Sequence, residues 1–167
     1  MADKGSTNQI ALMGIMLGVI FVITILENIF FMPVMPPNIR PGLANIVIMY
    51  CVFSIGRRQA LILNILKSLF VLVTRGAIAG FLSLSGGILS VMAIIWLAGF
   101  KKKQLSYGAI SVSGAITHNL GQFAVVMILT ATPALIYYIP VLIISGVVSG
   151  LITGTLLKIL LPALNRI

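Results

Sequence analysis

The feature that most constrains this chain is a succession of apolar runs, each long enough to cross a lipid bilayer and separated by short polar breaks. A hydrocarbon core of about 30 Å takes about 20 apolar residues as a helix. The helix is required because it satisfies every backbone N–H and C=O without water. Hydrophobic residues make up 60% of the 167 and charged ones only 8%, with a mean hydropathy of +1.20. Too little polar surface remains for a soluble domain. The sequence therefore predicts an all-α integral membrane bundle of six transmembrane helices in a single domain over 1–167. The spans fall at about 9–31, 43–56, 59–79, 81–100, 105–130 and 139–161, the second of them short for a full crossing.

Eleven Lys and Arg stand against two acids, Asp3 and Glu27. In a soluble chain that balance would suggest nucleic acid. Here the cations sit between apolar runs, where they set topology, and no nucleic-acid partner is expected. With the N-terminus inside, six spans place Lys4, Arg57, Arg58, Lys101 to Lys103, Lys158 and Arg166 on the cytoplasmic side, and the C-terminus there too. Arg40 and Arg75 are left toward the outside and Lys67 within the membrane. The polar stretch Met1 to Asn8 is followed by an apolar run too long for a signal-peptide core, so that run reads as a retained first helix. The lone Cys51 cannot form an intrachain disulfide.

Span one carries Ala11, Gly14 and Gly18 on one face, a small-residue spacing that lets helices approach closely. That face serves either packing inside the bundle or docking onto a partner subunit. Glu27 and Asn28 follow near its far end. Met32 to Gly42 holds four of the seven prolines and Arg40, so it is stiff and not helical throughout. It reads as a lid over a pocket or as a simple connector. On span three, Arg75 can snorkel to an interface, whereas Lys67 is too deep for that and must pair, lose its proton or face water. Span four begins with Ser83, Ser85, Gly86, Gly87 and Ser90, a groove of small residues. In span six, Gly146, Gly150 and Gly154 form a packing ridge at four-residue spacing.

The most distinctive stretch lies in span five, Gly114 to Gln122, with the only histidine beside two amides. At 3.6 residues per turn Ser111, Gly114, His118 and Gln122 share one narrow polar face, with Asn119 at its edge. Facing lipid, such a stripe would be costly, so it should point into the bundle. His118 is there either to bond helix to helix or to orient a ligand.

Absences narrow the chemistry. Two acids in the whole chain give no carboxylate pair for acid–base catalysis and no aspartate cluster for magnesium. No phosphate-binding Gly-Lys-Ser/Thr loop occurs, and one His with one Cys makes no conventional zinc site. The reading is of a protein that is not an enzyme and has no cofactor or metal. What remains is binding, in a pocket that brings Arg40, Arg75 and Lys67 against Glu27, with His118, Asn119 and Gln122 a few turns below. Its net field is positive, which suits a small anionic or electron-rich ligand with apolar bulk.

Three segments carry a resemblance: Pro41-Gly42-Leu43-Ala44-Asn45-Ile46, Ser85-Gly86-Gly87-Ile88-Leu89-Ser90, and Gly114 to Gln122. They resemble the Gx transporter family, also labelled heptaprenyl diphosphate synthase component I, over nearly the whole chain. That family is similar to the substrate-binding S components of energy-coupling factor (ECF) transporters of the bacterial cell membrane. The resemblance implies six helices, an outward pocket roofed by Met32 to Gly42, and docking of Ala11, Gly14 and Gly18 on a coupling subunit that works with ATPases. It implies pocket roles for Asn45, Arg75, Ser85, His118, Asn119 and Gln122. The usual docking pattern is alanine at four-residue spacing, and glycine stands here. The synthase label does not fit a catalytic role, since the acids that prenyl diphosphate chemistry needs are missing. An accessory protein anchoring such an enzyme is the rival expectation, and a membrane subunit of a redox complex a third. Vitamin-like, flavin-related and isoprenoid-quinone compounds are the ligand classes considered.

Overall fold

The computed structural model describes residues 4–31, 42–99 and 105–164. The helices are α1 (Lys4–Phe31), α2 (Asn45–Ser54), α3 (Arg57–Arg75), α4 (Ala77–Ala98), α5 (Tyr107–Thr130) and α6 (Ile139–Leu164). A 3-10 turn, Pro133–Tyr138, leads into α6, and no strand occurs among the described residues. Asp3, Arg40, the proposed roof up to Pro41, Lys101 to Lys103 and Arg166 lie outside the described residues.

Among the described residues, four helical stretches are long and apolar enough to cross a membrane: Gln9–Phe30, Ala77–Ala98, Tyr107–Thr130 and Leu135–Leu161. The chain is a helical membrane protein. α3 is 19 residues long but carries Arg57, Arg58, Lys67 and Arg75. α2 has only 10 residues, about 15 Å at the helical rise, or half a bilayer core. Sequence hydropathy overstated it because the apolar run continues through residues that do not join the helix. The third span was also expected to continue to Ala79, whereas α3 stops at Arg75 and α4 starts at Ala77. Gly76 between them has a φ of 91°, a conformation that costs glycine little and that ends one helix and starts the next within a single residue.

The connections make α3, α4, α5 and α6 an antiparallel series, and close backbone approach holds that series together. Lipid tails are as apolar as leucine, so helices in a bilayer associate through tight packing and interhelical hydrogen bonds rather than through burial from water. Both are present. The methyl that an alanine would add at Gly146 would sit 3.0 Å from Ile116 Cα, and at Gly154 2.8 Å from Gly108 Cα. At Gly121 it would sit 2.9 Å from Gly86 Cα. The Gly146–Gly150–Gly154 ridge therefore packs within the chain, on α5. Polar bridges accompany it: Ser111 Oγ and Thr153 Oγ1 are 2.6 Å apart, and Asn119 Nδ2 donates to Leu142 O and Ser145 Oγ, both at 3.0 Å.

α1 is held differently. It packs mainly on α2 and α3, with Met16 and Ile20 buried and Phe21 stacked on Phe70 at 4.0 Å between ring centroids. Its opposite side, including Ile10, Ile15, Val22 and Ile29, is exposed. An apolar face of that kind is what lipid contact requires of a membrane helix.

Candidate ligand pocket

One end of the bundle, where Gly76 joins α3 to α4, contains a cavity of about 850 Å3. Six elements contribute to it, with Gly42 beside them. α1 supplies Thr24, Glu27 and Asn28; α3 supplies Lys67, Val71, Thr74 and Arg75; α5 supplies His118, Asn119, Gln122, Phe123 and Val126. α4 adds Leu82 and Ser83 among others, and Leu135, Tyr138 and Leu142 close the α6 side. Lys67, Val71 and Arg75 recur every four residues, so they line the cavity from its floor at Lys67 to its rim at Arg75. The floor is polar and the wall above it, formed by Val71, Leu82, Phe123 and Val126, is largely apolar.

The floor is held by specific bonds. Lys67 Nζ donates to Asn45 Oδ1 at 2.7 Å, which links α3 to the first residue of α2. Glu27 accepts a hydrogen bond from the Leu43 backbone N–H and lies within electrostatic reach of Lys67. On α5, Gln122 Nε2 lies 3.0 Å from His118 Nε2. With the amide donating, the ring proton sits on Nδ1. That nitrogen is buried on the α4 side, against Gly86 and away from the cavity. The ring lies beside Gly86, whose lack of a side chain makes room for it: a methyl there would sit 3.1 Å from Nδ1 and 2.8 Å from Gln122 Cγ.

A second, small cavity lies on the far side of His118 and Asn119. It offers about 20 Å3, room for about one water. Asn45, Ser90, Ser111, Ser149 and Thr153 line it, and it shares Gly42, His118 and Asn119 with the larger one.

Of the residues that the sequence singled out, Glu27, Lys67, Arg75, His118, Asn119 and Gln122 line the large cavity together. Asn45 stands behind Lys67 and lines the small one. Ser85 stands apart from both: its Oγ donates to Leu82 O and Gly121 O, each at 3.1 Å, and so ties α4 to α5. Arg40 lies outside the described residues. Ala11, Gly14 and Gly18 are exposed on α1, and a methyl at either glycine would have no atom within 4 Å. Sequence reasoning missed Thr24 and most of the apolar wall. Thr24 sits one turn before Glu27 on the same face, a signal that could have found it.

Among the described residues no three His, Cys, Asp or Glu come together as a metal site would require. The fold and the cavity define a class: a helical membrane protein with a large pocket at one end of its bundle, polar at its floor and apolar along its wall. The chain belongs to the family described as heptaprenyl diphosphate synthase component I, whose sequence pattern matches residues 16–160. No curated protein and no solved structure gave a significant match to it. With two acids in 167 residues, the chain lacks the carboxylate clusters that hold magnesium for diphosphate chemistry.

Proposed function

We propose that the chain is the substrate-binding membrane subunit of an uptake system of the ECF type. In this reading it captures a small anionic or amphipathic molecule at the outer face and releases it inward when a partner ATPase module works. The observation that carries the proposal is the cavity of about 850 Å3. Its volume is typical of small-molecule sites, which pair an apolar lining with a few well-placed polar groups. Glu27, Lys67, Arg75, His118, Asn119 and Gln122 would contact the ligand, with Asn45 supporting Lys67 and Arg40 added by the connection above. Ser85 would act indirectly, by fixing α4 against α5.

The topology of this reading has six crossings, both termini cytoplasmic and the cavity opening outward, in a bacterial cell membrane. The distribution of Lys and Arg supports it. α2 and α3 would make the two crossings that length and composition alone do not define, α2 together with the residues before it. Ala11, Gly14 and Gly18 would dock on the coupling subunit, and their exposure on the most loosely packed helix supports that role.

A second reading draws on the family description. The chain would be a non-catalytic membrane accessory that anchors or serves a prenyl diphosphate or quinone pathway enzyme. One experiment separates the two. The tagged protein is purified from its native membrane in mild detergent, and stoichiometric partners are identified by mass spectrometry. A coupling membrane subunit with ATPases is the expected result; a soluble prenyl synthase without any ATPase would overturn the transport reading in favour of the accessory one.

A further inference from the structure

The corner of the cavity between α2 and Lys67 has the features of an anion site. α2 begins inside the bundle and is only 10 residues long, with no side-chain cap at Ala44. Its first turn is closed by Asn45 N–H to Gly42 O and Ile46 N–H to Leu43 O, so the Leu43 N–H precedes the helix with no backbone acceptor and is held by the Glu27 carboxylate alone. Unpaired N–H groups at a helix start carry partial positive charge and favour anions. Gly42, at a φ of 62°, lines both cavities and presents bare backbone there.

Two further polar groups belong to the same cavity. The Lys67 ammonium is 6% exposed and is bonded to a neutral amide oxygen. His118, 8% exposed, lines the cavity within electrostatic reach of Lys67, with its Nε2 3.0 Å from the Gln122 amide. Opposite these groups stands one carboxylate, Glu27, which already holds the Leu43 N–H.

We infer that this corner seats the anionic group of the ligand, a carboxylate or a phosphate, and that Glu27 is its internal stand-in, displaced from Leu43 when ligand binds. The inference rests on the cavity being a ligand site, as proposed above. Its physical basis is the cost of an empty cationic pocket in a low-dielectric surrounding. A buried charge stripped of its partner strongly destabilises a fold. With no ligand present, Glu27 supplies the compensating charge. An incoming anion takes over the Leu43 N–H and draws Lys67 from Asn45, while the apolar body of the ligand rests on Val71, Leu82 and Phe123. The ligand class is therefore an amphiphile with one anionic head and an apolar body. Glu27 weakens its binding by competition, and so assists its release.

The test uses the full chain in dodecyl maltoside with decyl phosphate as probe, and decanol and decyltrimethylammonium as neutral and cationic counterparts. Unfolding is followed with a maleimide dye that fluoresces on reaching Cys51, the single cysteine and fully buried. Decyl phosphate is expected to raise the unfolding midpoint saturably, and its counterparts are not. Glu27→Gln should lower the concentration for a half-maximal shift about tenfold, and Lys67→Met should abolish the shift. Equal or weaker binding by Glu27→Gln overturns the stand-in role, while the wild-type shift still supports a ligand site. If none of the three probes gives a saturable shift in any variant, the anion seat is overturned, and the transport reading is then decided by the co-purified partners alone. Should Glu27→Gln not be recovered folded, Glu27→Asp replaces it, since it draws the carboxylate back by one methylene. A gain of about threefold is then expected, and no gain overturns the role.

Discussion

Asn64 lies fully buried on α3, one turn before Lys67, packed against Gly87 so closely that no side chain would fit there. Neither its Oδ1 nor its Nδ2 has a hydrogen-bond partner among the described residues. An amide in that position costs about 1–3 kcal/mol. Leucine has a similar branched shape and nothing to satisfy, so Asn64→Leu is expected to raise stability by about 1 kcal/mol. The midpoint of Cys51 labelling on heating would show this, and a fall would mean that the amide is bonded by water in the folded protein. His118→Ala, in contrast, should leave the yield of folded protein unchanged and weaken decyl phosphate binding about tenfold; unchanged binding would leave His118 a purely structural role. The residues of the cavity also differed in how legible they were. His118 and Gln122 recur at helical spacing in an otherwise apolar run, so their shared inward face could be read from sequence. Val71, Leu82 and Phe123 could not be assigned, because an apolar residue facing a cavity and one facing lipid obey the same pattern.

At the scale of elements, glycines on different helices do different work although their spacing is alike. A methyl at Gly150 would run into the Val112 backbone, which belongs to a helix and cannot yield as a flexible side chain does. Gly150→Ala should destabilise the fold by about 2 kcal/mol, within the range for overpacking. Gly18→Ala meets open space and should change stability by no more than about 0.5 kcal/mol, as surface substitutions do. If Gly18 serves as a docking face, the same change should lower the recovery of co-purified partner. Thermal unfolding of both variants, alongside the partner yield, checks the pair of expectations. Spacing alone could not separate these cases, because the four-residue pattern records only that something approaches closely. The helix ends were partly legible for a similar reason. Ser106, whose side chain accepts from Ala109 N–H at 3.2 Å, marks the start of α5 by its chemistry. The α3–α4 break falls at Gly76, just after Thr74 and Arg75, and the apolar run that resumes at Ala77 gave no capping side chain to mark where α4 begins.

For the whole molecule, the arrangement of cations leads to a prediction independent of any ligand. A fluorescent protein fused after Ile167 should fold and fluoresce in the cytoplasm, whereas alkaline phosphatase at the same place should stay inactive. The opposite pair of results would turn the bundle over and place the cavity inward. The number of crossings was less legible than their helical character, since hydropathy measures the length of an apolar run and not the length of its helix. Movement within the bundle is constrained as well. Gly146, Gly150 and Gly154 meet backbone of α5 once per turn, so sliding α6 by one residue would drive Val147 or Leu151 into the places the glycines hold. The next fit without collision lies four residues away, about 6 Å along the axis. Between those positions α5 and α6 are locked, so under the transport reading a change in the shape of the cavity is expected to come from the more loosely packed α1, and the rate of opening should respond to substitutions on α1 far more than to conservative ones in the α5–α6 wall.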